Sequence, residues 1–300
     1  MIDYSSPYAD CGARWYKGNI HAHTTESDGR LSAEQMCDVY RKAGYDFVAI
    51  TDHNTLTDTG PFSSSDFITI PGVEIGKRPD HVVHIGAESL NSGSDLAGIL
   101  RSLRGEPGLA IVAHPHWSNM SWDRIASVSD YIGIEIYNYS VDVNRGRGHS
   151  VELWDMLLES GRRVWGFAVD DSHYREDRPN CCGGWIVVAA DALTEESILG
   201  AIERGAFFSS QGPSFHEIVT TDEGLYVHCS PVKVIRFNSQ TPGAGWSFYG
   251  GVGEHLREAF VRWDGRKPRL CPNYVRIEIV DDAGRVAWSN PIYLTERSDL

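Results

Sequence analysis

The sequence contains no long apolar segment, and this excludes a helical membrane protein. No stretch of the 300 residues approaches the roughly 20 apolar residues needed to span a bilayer. The first residues, MIDYSSP, also lack the basic region and the apolar core of a secretory signal peptide. We therefore expect a cytoplasmic protein that does not associate with membranes.

Basic residues are in short supply. The chain has 27 Lys and Arg residues against 41 Asp and Glu residues, which gives a formal net charge of −14. Such an acidic surface repels the phosphate backbone of nucleic acids, so long DNA or RNA is an unfavourable partner. A small anionic substrate is still compatible with this charge, because bound divalent ions make a pocket locally positive.

Cysteine is sparse and shows no metal-binding or disulfide pattern. The six cysteines are scattered through the chain, and none lies in a Cys-x-x-Cys spacing. We therefore expect reduced thiols rather than a disulfide framework. The sequence also has no internal repeat, long linker or low-complexity tract, and its composition is that of a globular protein.

Short apolar runs alternate with helical patterns over the first two thirds of the chain. Strands are predicted at 47–50, 67–70, 81–85, 109–113, 131–137 and 164–169, and helices at 32–44, 94–103, 150–159 and 194–204. This alternation predicts an α/β fold with a parallel sheet or barrel. Later short runs separated by turns predict a small antiparallel sheet or sandwich, so we expect domains at 1–212 and 213–300.

Two pairs of polar residues have the spacing of a metal site. In a strand, His21-x-His23 places both imidazoles on the same side, because side chains alternate with period two. Asp171-x-His173 repeats this arrangement much later in the chain. Imidazoles and carboxylates presented from separate strands suit divalent Zn, Fe or Mn. The pattern therefore predicts a site for two or three metal ions.

Further candidate ligands occupy similar positions in the predicted fold. His53, Glu74, His114 and Asp171 each directly follow an apolar run. In parallel α/β folds, catalytic groups gather at the carboxyl ends of the strands. We therefore expect these side chains to lie together at one end of the sheet.

The motifs resemble those of the PHP (polymerase and histidinol phosphatase) family over about residues 17–212. They are His21-x-His23, Asp28, Asp52-His53, Glu74, His84, His114 and Asp171-x-His173. The segments WGFAVDDSH and FFSSQGP are more similar to the stand-alone phosphoesterase branch than to the polymerase-associated domain. The resemblance implies a distorted (β/α)7 barrel with the metal centre at its C-terminal mouth and the small β-rich domain outside this core.

The resemblance also implies which residues bind each ion. The first would be held by His21, His23, Glu74 and Asp171, the second by Asp28, His53 and His173, and the third by His84 and His114 with Glu74 bridging. The implied reaction is hydrolysis of a small phosphate ester by a metal-bridging hydroxide. Asp171 would serve this chemistry as a ligand, and His116 is a candidate acid for the leaving alkoxide.

Several assignments stay open at this point. Strand alternation cannot choose between His81 and His84, which face opposite sides, but the family's His-Ile/Leu-Gly pattern favours His84. We expect Asp170 to support the site through hydrogen bonds, because only Asp171 shares a face with His173. Asp52 is expected to orient His53 or its loop.

Arginines that follow strands or motifs are candidate substrate contacts. They include Arg78, Arg145 and Arg175, although an isolated arginine is more often a solvated surface charge. Glu135 and Asn138 lie near another strand end, where a supporting role at the site and an ordinary polar role are equally expected.

Three functions compete. The leading one is a metal-dependent phosphoesterase, the second is a hydrolase of a carboxylic, carbamic or amide ester, and the third is a non-catalytic metal-binding module. A pocket lined by basic residues would favour phosphate, whereas an apolar, aromatic pocket would favour the second function. The complete ligand set speaks against the third function.

Overall fold

The structure, a computed structural model, describes residues 2–9, 14–175, 180–239, 245–262 and 274–296. Its α-helices in these ranges are α1 (Ala33–Lys42), α2 (Leu96–Ser102), α3 (Trp122–Ala126), α4 (Tyr139–Arg145), α5 (Val151–Glu159) and α6 (Glu195–Glu203). The first strands are β1 (Ile2–Ser5), β2 (Arg14–Asn19), β3 (Phe47–Ile50), β4 (Ile68–Lys77), β5 (Asp80–Ile85), β6 (Leu109–Val112), β7 (Gly133–Asn138), β8 (Trp165–Val169) and β9 (Trp185–Ala190). The later strands are β10 (Phe207–Ser210), β11 (Phe215–Thr220), β12 (Gly224–Val232), β13 (Val234–Ser239), β14 (Gly245–Tyr249), β15 (Leu256–Arg262), β16 (Tyr274–Val280), β17 (Val286–Ser289) and β18 (Ile292–Glu296).

The described α-helices other than α5 begin at side chains that cap their free N–H groups. Ser32 accepts from the backbone of Gln35, whose side chain bonds back to Ser32, so α1 opens with a complete capping box. Asp95 and Thr194 cap α2 and α6 in the same manner. The structure confirms the helices predicted near 32–44, 94–103, 150–159 and 194–204. No helix in the described ranges is long and apolar enough to cross a bilayer.

The main sheet is mixed rather than uniformly parallel. The ladders β2–β3, β3–β4, β6–β7 and β7–β8 are parallel, as predicted, but β5 runs antiparallel to both β4 and β6. Only residues 78 and 79 separate β4 from β5. Because parallel neighbours need a crossover of about a dozen residues, so short a link forces a hairpin. The α/β class is confirmed, and its strictly parallel form is wrong at this hairpin.

The strand order of the main sheet does not confirm the predicted (β/α)7 barrel. Fifteen of the described strands form one sheet, and its run β9-β2-β3-β4-β5-β6-β7-β8 ends at β8. Strand β8 meets β10 through a side chain: Ser209 accepts from the N–H of Ala168 and donates to the carbonyl of Gly166. In the described chain no backbone ladder joins β8 to β10, so this side-chain contact holds the two strands together.

The strands after residue 212 pair antiparallel, as predicted. Strands β11, β12 and β15 form a separate sheet, whereas β13, β14 and β16–β18 continue the main sheet. Apolar residues of both layers, among them Leu225 and Val227 opposite Ile235 and Ile277, belong to one buried cluster. Ladders β10–β17 and β1–β18 tie this part to the rest of the chain. A division into domains at 1–212 and 213–300 stays a prediction.

A buried ion pair also joins the C-terminal strands to the α/β part. Arg276 on β16 is 3% exposed and donates to both carboxylate oxygens of Asp155 on α5, each at 2.7 Å. It also donates to Glu278 at 2.6 Å. Removal of one partner leaves a buried charge without full compensation, which is strongly destabilising.

We predict that Asp155→Ala lowers the free energy of unfolding by about 3 kcal/mol. Urea denaturation measures this change. The matched control is Arg104→Ala, which breaks the exposed pair with Asp130 and costs at most about 1 kcal/mol. Equal losses in the two variants would contradict a stabilising role for the buried pair.

Candidate metal centre

The carboxyl ends of neighbouring strands bring the candidate ligands together. His21 follows β2, His53 follows β3, His114 follows β6 and Asp171 follows β8, each within a few residues of the strand end. His114 and Asp171 have φ angles of 29° and 53°, in the region that residues other than glycine rarely adopt. Such strain is typical of functional positions, and here it turns both side chains toward a common centre.

Four side chains form the first ligand group. His21 Nε2 lies 3.1 Å from His23 Nε2, 3.4 Å from Glu74 Oε2 and 3.5 Å from Asp171 Oδ1. His23 Nε2 lies 3.3 Å from the same Glu74 oxygen and 3.1 Å from the same Asp171 oxygen. Tetrahedral ligands about 2.0–2.2 Å from a zinc-like ion lie roughly 3.3–3.6 Å apart, close to this spacing.

A second group lies on the solvent side of the first. Asp28 Oδ1 is 3.1 Å from His173 Nε2, 3.7 Å from His53 Nε2 and 3.9 Å from His23 Nδ1. The Asp28 side chain is 56% exposed, whereas that of His23 is fully buried. This group therefore opens toward the cavity described below.

A third group surrounds the other oxygen of Glu74. Its Oε1 lies 2.7 Å from His81 Nδ1 and 3.0 Å from His114 Nε2, and these two nitrogens are 3.3 Å apart. Glu74 Oε2 also lies 3.0 Å from His53 Nδ1. Glu74 therefore links the first group to the third.

The donor set fits divalent cations. His23 Nδ1 and Glu74 Oε2 are buried and have no hydrogen-bond partner, which is costly unless an ion takes that place. Both are borderline to hard donors of the kind that Zn, Fe and Mn accept. His21, His23, Glu74 and Asp171 would hold one ion, and the other two groups would hold further ions.

The electrostatics agree with a cation site. Burial raises the pKa of Glu74, but the imidazoles of His21, His114 and His53 outweigh this and hold it well below its usual value. Burial lowers the pKa of His173, but its hydrogen bond to Asp28 and the charge of Asp171 raise it to about 9. A metal ion that binds His173 must displace the proton of this imidazole, so metal binding weakens as the pH falls.

Glu135 on β7 supports the ligands without joining a group. Its Oε1 accepts from His21 Nδ1 at 2.6 Å, which leaves His21 Nε2 free to face the centre. Its Oε2 accepts from the backbone N–H of His114 at 2.7 Å and from Asn138 Nδ2 at 2.9 Å. Asn138 Nδ2 also donates to Asp171 Oδ2 at 3.1 Å. The supporting role that the sequence left open for Glu135 and Asn138 is therefore the one their contacts favour.

Asp52 and Asp170 contact loops rather than the ligand groups. Asp52 accepts from the backbone and hydroxyl of Thr24, both at 2.7 Å, and from Ser27 and Thr57, both at 2.6 Å. These bonds fix the loop that carries Asp28. Asp170 accepts from three backbone N–H groups at 182–184 and from the Tyr40 hydroxyl. Burial raises the pKa of Asp170 to about 6.

A cavity of about 420 Å³ opens directly above the ligand groups. Arg78, Arg145 and Arg175 all line it, together with ligand residues from each group. Sequence reasoning missed five further lining residues, which belong to no motif and have no periodic pattern: Trp117, Ser140, Val141, Asn144 and Asn180. The cavity therefore combines metal-binding donors with positive charge.

Comparison with known proteins identifies the fold. No family model matches the sequence. The chain is 47% identical over 166 residues to the DNA polymerase/3′-5′ exonuclease PolX of Bacillus subtilis, a match that covers 49% of this chain and 28% of that protein. It thus spans little more than a quarter of that relative's length. A two-domain Bacteroides vulgatus protein containing a predicted PHP-like metal-dependent phosphoesterase superposes with a TM-score of 0.54 at 15% identity, covering 93% of this chain and 94% of that one.

The chain has a PHP-like fold. The family resemblance drawn from the motifs is confirmed, and the fold extends over both parts of the Bacteroides vulgatus structure. A metal-dependent phosphoesterase from Bifidobacterium adolescentis is also similar, with 14% identity over 63% of this chain, but its TM-score of 0.45 carries no weight for the fold.

His84 is the first of two corrections to the ligand set expected for a PHP-like protein. Its Nε2 donates to the carbonyl of Pro107 at 2.8 Å, away from Glu74, and His81 stands in its place. In the β4–β5 hairpin, Glu74 pairs with Val83, so both point to the same face. His81 lies two residues from Val83 and shares this face, whereas His84 faces the opposite side.

His116 is the second correction. It is exposed and lines a separate cavity with His149 and Met120, so it does not face the ligand groups. Strand β6 ends at Val112, and the segment from 114 to 120 forms turns in which Ser118 N–H bonds to the carbonyl of His114. Period-two alternation does not apply in a turn. His116 is therefore not placed to protonate a leaving group.

We predict that His81→Ala lowers the number of bound metal ions, whereas His84→Ala does not. Both changes remove a buried imidazole, so each controls for the other's effect on packing. The measurement is elemental analysis after chelator treatment and reloading with Zn²⁺ or Mn²⁺, with binding isotherms for each variant. Loss of metal in His84→Ala with full loading in His81→Ala would contradict the geometry.

Proposed function

We propose that this chain hydrolyses a phosphate ester of a small molecule, of the nucleotide or sugar-phosphate type, at a centre of two or three divalent ions. One observation carries the proposal: Arg78, Arg145 and Arg175 line the cavity above the ligand groups. Over the described part of the chain, none of the three has a carboxylate within ion-pair distance. Their charges are therefore available to an anion.

The three arginines reach the cavity from different loops. Arg78 lies between β4 and β5, Arg145 ends α4, and Arg175 follows β8. Elsewhere in the structure, Arg41, Arg104, Arg124 and Arg276 pair with carboxylates, as expected in a chain with a net charge of −14. Guanidinium groups bind phosphoryl oxygens through paired hydrogen bonds. Uncompensated arginines around a cavity thus favour a phosphorylated ligand.

In this proposal, the metal ions and the protein side chains contribute different parts of the chemistry. Bound divalent ions would acidify a water molecule and neutralise charge that develops on phosphoryl oxygens. The chain's own groups hold and orient: Glu74 and Asp171 anchor the centre, Glu135 fixes His21, and the arginines align the phosphoryl group. Such positioning supplies most of what phosphoryl transfer requires from a protein.

The lining of the cavity speaks against the ester and amide alternative. Trp117 and Val141 are the apolar side chains among the described lining residues, and the others are polar or charged. A carbamate or carboxylic ester hydrolase would need a more apolar surface to bind an uncharged substrate. The names of the Bacillus subtilis and Bacteroides vulgatus proteins, an exonuclease and a phosphoesterase, also denote hydrolysis of phosphate esters.

A substrate screen with metal-loaded protein tests the proposal. The chain is reloaded with Mn²⁺, Fe²⁺ or Zn²⁺ and offered mononucleotides, dinucleotides, sugar phosphates, carboxylic esters and carbamates. We expect phosphate release, and we expect Arg175→Gln to raise KM about tenfold through loss of a charged hydrogen bond. The control Arg104→Gln lies outside the cavity and should leave KM unchanged.

Two results would contradict the proposal. Turnover of carboxylic or carbamic esters without phosphate release would support the alternative hydrolase. Fully loaded protein that is inactive on every ester class would support a metal-binding module instead.

A further inference from the structure

Arg78 projects its charge into the cavity from a short turn. It lies in the two-residue link between β4 and β5, and it lines the cavity beside Glu74 and His81 of the same hairpin. Within the described ranges no carboxylate pairs with its guanidinium. A long side chain without a fixed partner is free to sample many rotamers, so its orientation needs another cause.

Trp117 supplies a surface for this guanidinium. The Arg78 guanidinium carbon lies 4.5 Å from the centroid of the Trp117 ring. Tryptophan is the strongest cation–π partner, and arginine readily stacks on aromatic faces. The structure thus orients Arg78 through an aromatic ring.

Trp117 is itself fixed by the turn that presents a ligand. Its ring meets the His114 imidazole edge-on, with centroids 4.7 Å apart and planes at 75°. The next residue, Ser118, bonds to His114 through its backbone N–H and its hydroxyl, both at 3.1 Å. Trp117 therefore joins the turn after β6 to the turn after β4 and couples Arg78 to the metal centre.

An aromatic partner leaves the charge and the N–H groups of an arginine available to a ligand, whereas a carboxylate partner does not. Arg124 is held by Asp80 on the same hairpin, and that contact neutralises its charge and engages its guanidinium in a hydrogen bond. Trp117 presents its ring face to Arg78 and has no hydrogen-bond acceptor atom, so the guanidinium N–H groups remain available to an acceptor. The Arg78 charge also stays uncompensated.

We propose that Trp117 is a positioning residue that holds the Arg78 guanidinium in place to bind phosphoryl oxygens above the metal centre. This inference rests on the proposed function, because it assumes a phosphoryl group in the cavity. Trp117 belongs to none of the ligand groups and acts through Arg78.

Binding of inorganic phosphate to the Mn²⁺-loaded chain tests this inference by calorimetry. We expect Arg78→Gln to weaken phosphate binding about tenfold, from loss of a charged hydrogen bond. Trp117→Leu should weaken it about three- to tenfold. Trp117→Phe, which keeps an aromatic face, should restore most of the affinity. The double variant Trp117→Leu/Arg78→Gln should bind no more weakly than Arg78→Gln alone, since both remove the same interaction.

Metal content separates positioning from a structural role. Each variant should keep the wild-type number of ions, because Trp117 and Arg78 supply no ligand. Trp117→Met applies the same test if the leucine variant does not fold, and Arg104→Gln is the control that leaves phosphate affinity unchanged.

Three outcomes would overturn the inference: wild-type phosphate affinity in Trp117→Leu, additive losses in the double variant, or loss of metal in the Trp117 variants. Absence of phosphate binding to the loaded wild-type chain would also overturn it. The proposed function fails differently, through a chain that binds phosphate normally and hydrolyses no phosphate ester.

Discussion

The side chain of Glu74 is 1% exposed, and its carboxylate lies among imidazoles. The arrangement of the candidate metal centre depends on this burial. An isolated buried carboxylate would cost several kcal/mol, so it must be compensated by cations or hydrogen-bond donors. One Glu74 oxygen lies near His81 and His114, and the other lies near His21, His23 and His53. These imidazoles come from β5 and from the segments after β2, β3 and β6, so the strand order of the sheet is what surrounds Glu74 with partners.

Much of this centre was predictable because it follows from strand geometry. His21, His53, His114 and Asp171 lie just beyond strand ends, where apolar runs stop and polar residues begin. Glu74 differs, since it lies within β4, and its role emerged from the family pattern. The prediction of His84 rather than His81 as a ligand was wrong, because the position of these residues depends on the β4–β5 hairpin. A two-residue link imposes that hairpin, and its register places Glu74 opposite Val83.

Other features had no signal in the sequence. His116 lies in the turns after β6 and lines a separate cavity, and Trp117 enters the cavity above the ligand groups from the same turns without belonging to any motif. The barrel expected from the resemblance depends on how the strands meet across β8 and β10, where a serine side chain makes the contact. Contacts between distant segments of this kind produce no periodic pattern in the local sequence, so the sequence does not predict them.

The cavity shows how an acidic chain can place basic side chains at one site. Arg78 is held by an aromatic ring, and Arg145 and Arg175 line the cavity without a carboxylate at ion-pair distance in the described residues. These three arginines match in number the carboxylates of the lining, Asp28, Glu74 and Asp171, so the cavity lacks the excess of acidic residues that gives the chain its net charge of −14. Anion recognition and metal binding then lie on the same face of the sheet.

Anomalous diffraction from crystals loaded with Mn²⁺ or Zn²⁺ shows directly whether metal ions bind to Glu74. We expect an ion about 2.0–2.2 Å from His21 Nε2, His23 Nε2, Glu74 Oε2 and Asp171 Oδ1. We also expect a neighbouring ion on Glu74 Oε1, with His81 and His114 as further ligands. Peaks that avoid Glu74, or an ion bound by His84, would contradict this arrangement of ligands.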